Sequence, residues 1–232
     1  ANHIFDITVG YAATSPLSGA SNTQNAKKIN IYNQMAQYLN GYDDSGNIKR
    51  FTIPKNGKEM NAVVFVPFAR LLSKDEIKKG SVTFELGLTG SYNQDGTNFK
   101  IRGKLTDTSG SDGYYVDSPA GEYGVLFASS SALGTLGAAV FNGETLGKAS
   151  SNPAVGLIYY QAGVAVVSSS VFNDLADGGA LSNTLGTTKF GTTFGATGFN
   201  AITGSTINTT SDSILNRIFN ISYNNTTELN ST

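Results

Sequence analysis

Apolar side chains recur at every second position along much of this chain, which is the period of half-buried β-strands. The alternation is clear over residues 4–11, 82–88 and 219–223. Glycine, asparagine, aspartate and serine separate these runs, and such residues are typical of turns. The pattern predicts a mainly β protein, with β-sandwich-like sheets built from hairpins and one or two accessory α-helices.

The most apolar part of this pattern is an uncharged hairpin at residues 155–168. Its predicted strands, 155–160 and 164–168, are joined by a three-residue connection that ends in Gly163. Glycine adopts the left-handed conformation that such a turn requires at little cost. Because both strands are apolar on both faces, we expect the hairpin to lie inside a stack of sheets or at an interface between subunits.

One stretch, residues 24–39, instead has apolar residues at the helical spacing of three and four positions. Its stripe consists of Ile29, Tyr32, Met35 or Ala36, and Leu39. We expect this helix to pack on a sheet, with binding to a partner as the other interpretation. Gly41 lies where a helix commonly ends. A second, short helix is predicted after the capping-box pattern at residues 73–76, with its end at Gly80.

Four segments resemble virion structural proteins of contractile-tailed phages, especially the T4-like phages of marine cyanobacteria. They are VGLIYYQAGVAVV at 155–167, IYNQMAQYLNGYD at 31–43, SPAGEYGVLF at 118–127 and RIFNISYNNTTELNST at 217–232. The resemblance implies a non-enzymatic subunit of the particle, in the tail, neck or baseplate. It also implies assembly in the host cytoplasm with copies of itself and with other virion proteins, and it supplies no catalytic residue.

Charge is sparse, since only 14% of the 232 residues are charged and the net charge is −1. A typical soluble domain has about 25% charged residues. No basic stripe of the kind that binds nucleic acid is present, so nucleic acid is not expected as a partner. Charge density falls near residues 110–118. This fall predicts a domain 1–112 that carries the helix and a Gly/Ser/Thr-rich domain 113–232.

Weak charge and long β-runs favour extensive dry contact between subunits. The candidate interface residues are Val155, Leu157, Tyr159, Val164, Val166, Phe190, Phe194 and Phe199. The three phenylalanines lie in the low-complexity segment 178–211, which we expect to form an arm that docks on a neighbouring subunit. A disordered linker is the alternative, although it would normally carry more charge and fewer phenylalanines.

Residues for catalysis or metal binding are few. His3 is the only histidine, cysteine is absent, and no nucleophile or phosphate-loop motif occurs. We therefore expect no enzyme activity, no cofactor, no metal and no small-molecule substrate. Residues 43–47 resemble half of a calcium loop but lack the closing glutamate, so a turn is expected. Residues 107–113 are expected to form an exposed hairpin loop.

Two further expectations concern membranes and glycans. No run of about 20 apolar residues exists, so no membrane partner is expected. The alternative function is a glycan-binding or adhesin-type β module. Such a module would place exposed aromatic residues and carboxylates at one loop end.

Overall fold

The chain forms fourteen short strands and one α-helix within its described residues. The computed structural model describes residues 5–15, 18, 25–54, 58–68, 75–87, 102–107, 114–128, 139–141, 144–146, 154–172 and 218–227. The helix is α1 (Asn25–Leu39). The strands are β1 (Thr8–Tyr11), β2 (Thr52–Ile53), β3 (Lys58–Glu59), β4 (Ala62–Pro67), β5 (Asp75–Ile77), β6 (Thr83–Gly87), β7 (Arg102–Thr106), β8 (Tyr123–Ala128), β9 (Ala139–Phe141), β10 (Glu144–Leu146), β11 (Ala154–Tyr159), β12 (Val164–Ser168), β13 (Ile218–Ser222) and β14 (Asn225–Thr227).

Eight of these strands form one antiparallel sheet in the order β1-β4-β12-β11-β8-β7-β6-β13. Three two-stranded pairs accompany it: β2 with β3, β5 with β14, and β9 with β10. The predicted mainly β fold with an accessory helix is therefore confirmed. The main sheet combines strands from both halves of the chain, since β12 pairs with β4 and β13 pairs with β6. The sheet therefore spans the predicted boundary between domains 1–112 and 113–232.

The sheet curls so that strands far apart in its order face each other. Phe68, directly after β4, lies 5.9 Å from Phe84 in β6 and 5.1 Å from Tyr223 after β13, measured between ring centroids. In a flat sheet β4 and β6 would be about 24 Å apart, at about 4.8 Å per strand. The apolar face inside the curl is therefore covered by the sheet itself.

The opposite face of the sheet is covered by α1 and by the β2–β3 hairpin. A ladder of three rings joins the layers: Tyr32 of α1 lies 5.4 Å from Phe51, and Phe51 lies 5.5 Å from Phe65 of β4. The buried phenol of Tyr32 donates a hydrogen bond to the carbonyl of Met60 at 2.9 Å, which satisfies its polar group. Helix, hairpin and sheet thus share one core.

Helix α1 begins and ends close to the predicted bounds. Gly41 adopts a left-handed conformation (φ +73°), and its N–H donates to the last carbonyls of the helix, as predicted. The buried stripe is Lys28, Tyr32, Ala36 and Leu39, so Lys28 takes the place expected for Ile29. Burial, with the nearby charge of Lys27, lowers the pKa of Lys28.

The predicted second helix is wrong, because residues 75–77 form β5. This strand pairs with β14, and the N–H of Ile77 donates to the carbonyl of Tyr160 at 3.2 Å. The side chain of Ile77 is fully buried. Tertiary pairing and burial override a local helix signal that is only a few residues long.

The central hairpin forms as predicted, with β11 and β12 antiparallel and buried at every residue. Residues 160–163 connect them. Gly163 has φ +66°, its N–H donates to the carbonyl of Tyr159 at 2.9 Å, and its carbonyl accepts from Phe68 at 2.8 Å. This glycine therefore joins the hairpin turn to the end of β4.

We predict that Gly163→Val lowers the free energy of unfolding by about 1–3 kcal/mol, because a β-branched residue resists a positive φ. Ala162→Val is the matched control, since it places the same side chain at a neighbouring position that already carries a Cβ atom. Urea unfolding followed by tyrosine fluorescence measures both variants. A Gly163→Val midpoint equal to that of the wild-type protein would contradict the turn assignment.

Candidate functional site

Of the five hairpin residues predicted to form a subunit interface, four lie on one face of the main sheet and Val155 lies at a register shift beside them. The five are Val155, Leu157, Tyr159, Val164 and Val166, and each is buried. Leu157 pairs with Val166, and Val166 pairs with Phe65, so these side chains project on the same side. This is the face on which Phe51 packs.

Packing inside the chain therefore accounts for the burial of these hairpin residues. The hydroxyl of Tyr159 donates to the Oδ1 atom of Asn40, directly after α1, which ties the helix to the hairpin. The sequence shows that this face needs cover, and the structure provides it from α1 and β2. Phe190, Phe194 and Phe199 of the predicted arm 178–211 lie outside the described residues, so their role stays a prediction.

A different feature, the outer edge of β13, is available for assembly. β13 is the last strand of the sheet, and within the described ranges it pairs only with β6. The next strand, β14, pairs with β5 and so leaves this edge. The sequence of β13, IFNIS, contains no charge and no proline, the residues that commonly block edge strands. The pairing of β13 with β6 shifts register between Ile218 and Asn220. The main-chain groups of residues 220–222, which follow this shift, can therefore accept a further strand.

Exposed aromatic surface is concentrated in two adjoining segments. The exposed large apolar side chains of the described residues are Tyr38, Tyr42, Tyr114 and Val116. The segments are joined where Ser118 Oγ donates to the carbonyl of Leu39, and where Lys49 pairs with Asp117 at 3.0 Å. The end of α1 and the residues directly before β8 are therefore in contact, while Tyr114, further from β8, packs against Tyr160.

Beside Tyr42 lies a polar cleft of about 510 Å³, lined by Asp43, Asn47, Ile48, Lys49, Arg50, Thr52 and Glu59. The carboxylate of Asp43 accepts from the N–H groups of Ser45 and Asn47 at 2.9 and 2.8 Å. These hydrogen bonds, with that of Asn47 first, lower the pKa of Asp43. Asp43 thus stabilises the predicted turn by accepting hydrogen bonds from residues of the same turn.

Asp107, expected in an exposed loop, is instead buried, with 4% of its surface accessible. Its Oδ2 accepts from Gly80 N at 2.7 Å and from the Tyr160 hydroxyl at 2.9 Å, and its Oδ1 accepts from Val82 N at 3.0 Å. Sequence reasoning missed this residue because an Asp-rich run is usually a turn. The rest of that run, residues 108–113, lies outside the described residues.

A second carboxylate, Asp117, orders the tyrosines on the helix side of the sheet. Tyr115, Tyr123 and Tyr159 stack with centroid distances of 5.4 and 5.2 Å, and the Tyr123 hydroxyl donates to Asp117 at 2.7 Å. This hydrogen bond lowers the pKa of Asp117, and burial, reinforced by Asp117, raises that of Tyr123. The network positions the stretch before β8 against β11.

No constellation typical of catalysis emerges from these contacts. In the described part of the chain, no three His, Cys, Asp or Glu side chains converge as a metal site requires. There, too, no helix has the length and apolar character needed to cross a membrane. His3 lies outside the described residues. The described residues offer three candidate surfaces: the edge of β13, the exposed tyrosines and the polar cleft.

We predict that Asp107→Ala lowers the free energy of unfolding by about 3 kcal/mol or more. The change leaves two backbone N–H groups and one phenol without an acceptor, at about 1–3 kcal/mol each. Tyr160→Phe removes one donor only and should cost less. Asp44→Ala, which removes an exposed carboxylate, is the control. Equal urea midpoints for Asp107→Ala and Asp44→Ala would show that the buried carboxylate is not structural.

We also predict that the protein loses stability above about pH 10. Burial raises the pKa of Tyr11 to about 12 and raises the pKa values of Tyr32, Tyr159 and Tyr160 further. The unfolded chain releases these protons near pH 10 while the folded chain keeps them, so alkali favours unfolding. Urea unfolding at pH 8, 9, 10 and 11 measures the slope, which should be shallower in Tyr159→Phe. A flat profile between pH 9 and 11 would refute the prediction.

Comparisons of this chain with models of protein families, with curated proteins and with solved structures found no match. A function must therefore be argued from the residues and surfaces of the chain itself. Of these surfaces, the edge of β13, which no described strand covers, is the one whose geometry most directly specifies a kind of contact, namely the addition of a strand.

Proposed function

We propose that the chain is a non-enzymatic structural subunit of a tailed-phage virion, a component of the tail, neck or baseplate. It assembles with copies of itself and with other virion proteins through β-rich interfaces. The observation that carries this proposal is the uncharged outer edge of β13. The resemblance of four sequence segments to virion structural proteins supports the proposal that the subunit belongs to a phage particle.

Strand addition to β13 is energetically plausible for a subunit of this composition. Each main-chain hydrogen bond across such an edge contributes about 0.5–1.5 kcal/mol net. β13 has five residues, and only alternate residues direct their N–H and C=O groups outward. These few bonds set register and direction, but a stable interface also needs buried surface, about 1,200–2,000 Å² in total. The predicted arm 178–211 would supply part of that area.

Weak charge is consistent with the same role. With a net charge of −1, identical subunits repel one another very little, so close packing of many copies carries a small electrostatic cost. Tyr38 and Tyr42 at the end of α1 offer further contact area, as do Tyr114 and Val116 before β8. An edge that no described strand covers suits assembly, because an unprotected edge on a monomer promotes aggregation.

We predict that the isolated protein self-associates and that Asn220→Lys with Ser222→Lys weakens this association at least about tenfold. Lysines on an edge strand prevent the approach of a second strand. Both side chains are exposed in β13, so the fold should persist. Sedimentation velocity over a range of protein concentrations gives the dissociation constants.

The control is Asn30→Lys with Gln34→Lys, which adds the same charge to exposed positions of α1. If the two double variants associate equally, the edge of β13 is not the interface. If the wild-type protein stays monomeric at every concentration, self-assembly is refuted.

In an electron-microscopy map of the phage that encodes the chain, the curled sheet should repeat with the particle's symmetry. Its absence from the particle would refute the virion assignment.

A further inference from the structure

The polar cleft beside Tyr42 has two walls of different construction. One wall is the outer face of the β2–β3 hairpin, where Thr52 stands opposite Glu59 and Arg50 lies two residues before Thr52. Alternation along the strand directs Phe51 and Ile53 into the core. This wall is therefore held rigidly by buried neighbours.

The turn 43–47 forms the other wall, and its shape is maintained by its own hydrogen bonds. Asp43 accepts from two backbone N–H groups of the turn, and the N–H of Asp43 donates to the carbonyl of Asn47 at 2.8 Å. Gly46 has φ +80°, a conformation that lets the chain reverse within a few residues. Both walls are thus formed before any ligand arrives, which reduces the entropy lost on binding.

Charges in the cleft compensate one another. Arg50 pairs with Glu59 at 2.9 Å, and Lys49 pairs with Asp117 at 3.0 Å. Asp43 is engaged by its turn, as described above. An anionic ligand would compete with Glu59 and Asp117 for these two cations, whereas a neutral ligand can accept hydrogen bonds from Arg50 and Lys49 beside their present partners. The lining therefore favours a ligand that is neutral and rich in hydroxyl groups.

An exposed aromatic residue, Tyr42, directly precedes the first residue that lines the cleft, Asp43. Tyr42 forms an antiparallel bridge with Ile48, a lining residue, so the two side chains emerge on the same face. Tyr42 is 55% exposed, and its hydroxyl accepts a hydrogen bond from Gln37 Nε2, which orients the ring. The face of an aromatic ring is electron-rich and attracts the weakly positive C–H groups of a sugar ring.

We infer that this cleft is a binding site for a neutral glycan of one or two pyranose units. The volume of about 510 Å³ falls within the roughly 300–1,000 Å³ typical of small-molecule sites. One sugar ring stacks on Tyr42, and its hydroxyls exchange hydrogen bonds with Asn47, Arg50 and Thr52. The cleft is formed within one chain by residues 43–52 and Glu59, so this inference does not depend on assembly through β13.

Protein-observed NMR titration tests the site with maltose, cellobiose, lactose and N,N′-diacetylchitobiose as neutral probes. Millimolar concentrations of at least one probe should shift the amide signals of residues 42–59. Tyr42→Ala should weaken the binding about fivefold or more, and Tyr42→Phe should retain it, because the ring remains. Thr52→Val, which replaces a hydroxyl by a methyl group, should weaken it without loss of the fold.

The matched control is Tyr38→Ala, which removes a similarly exposed tyrosine from α1; unlike Tyr42, Tyr38 is neither adjacent in sequence nor bridged to a residue that lines the cleft. Equal loss of affinity in Tyr38→Ala and Tyr42→Ala would overturn the inference, as would the absence of shifts with every neutral probe. Sialyllactose provides the charged comparison. If it binds at these residues more tightly than lactose, the site is not selective for neutral glycans and that part of the inference is wrong.

Discussion

Burial of the central strands on both faces is the constraint on which the rest of this structure depends. β12, β11 and β8 are neighbours in the middle of the sheet, and all of their residues are buried. Exposed, such apolar surface would cost about 25 cal/mol per Å². α1 and the β2–β3 hairpin cover one face, and the curl of the sheet covers the other. The remaining elements are arranged around these two covers.

Two consecutive tyrosines form hydrogen bonds from the hairpin to the elements that cover its two faces. Tyr159 and Tyr160 point to opposite faces, as neighbours at the end of a strand do. Tyr159 donates to Asn40 on the helix side, and Tyr160 donates to the buried carboxylate of Asp107. A buried phenol without an acceptor costs about 1–3 kcal/mol. Each hydroxyl therefore helps to specify which element lies above it.

This arrangement places function at the periphery of the molecule. The hairpin that looks most suited to an interface is occupied with the chain's own core, so contacts with other molecules fall to the edge of β13 and to the exposed side chains around α1. These surfaces suit different partners, because an open edge offers main-chain hydrogen bonds in a row, whereas the cleft offers paired charges beside an exposed tyrosine. The proposed assembly and the proposed glycan binding can therefore take place on the same molecule.

The sequence by itself determined the features that depend on a few consecutive residues: the mainly β class, α1, and the hairpin whose turn needs a glycine at position 163. Periodicity and positive φ are local properties, and they survive in any packing. Only the tertiary structure decided what covers the apolar face of the hairpin, that Asp107 is buried, and that residues 75–77 form a strand. An apolar face must be buried, but α1 of the same chain and a neighbouring subunit can both bury it with apolar side chains. The choice between them is made by contacts between residues far apart in the chain.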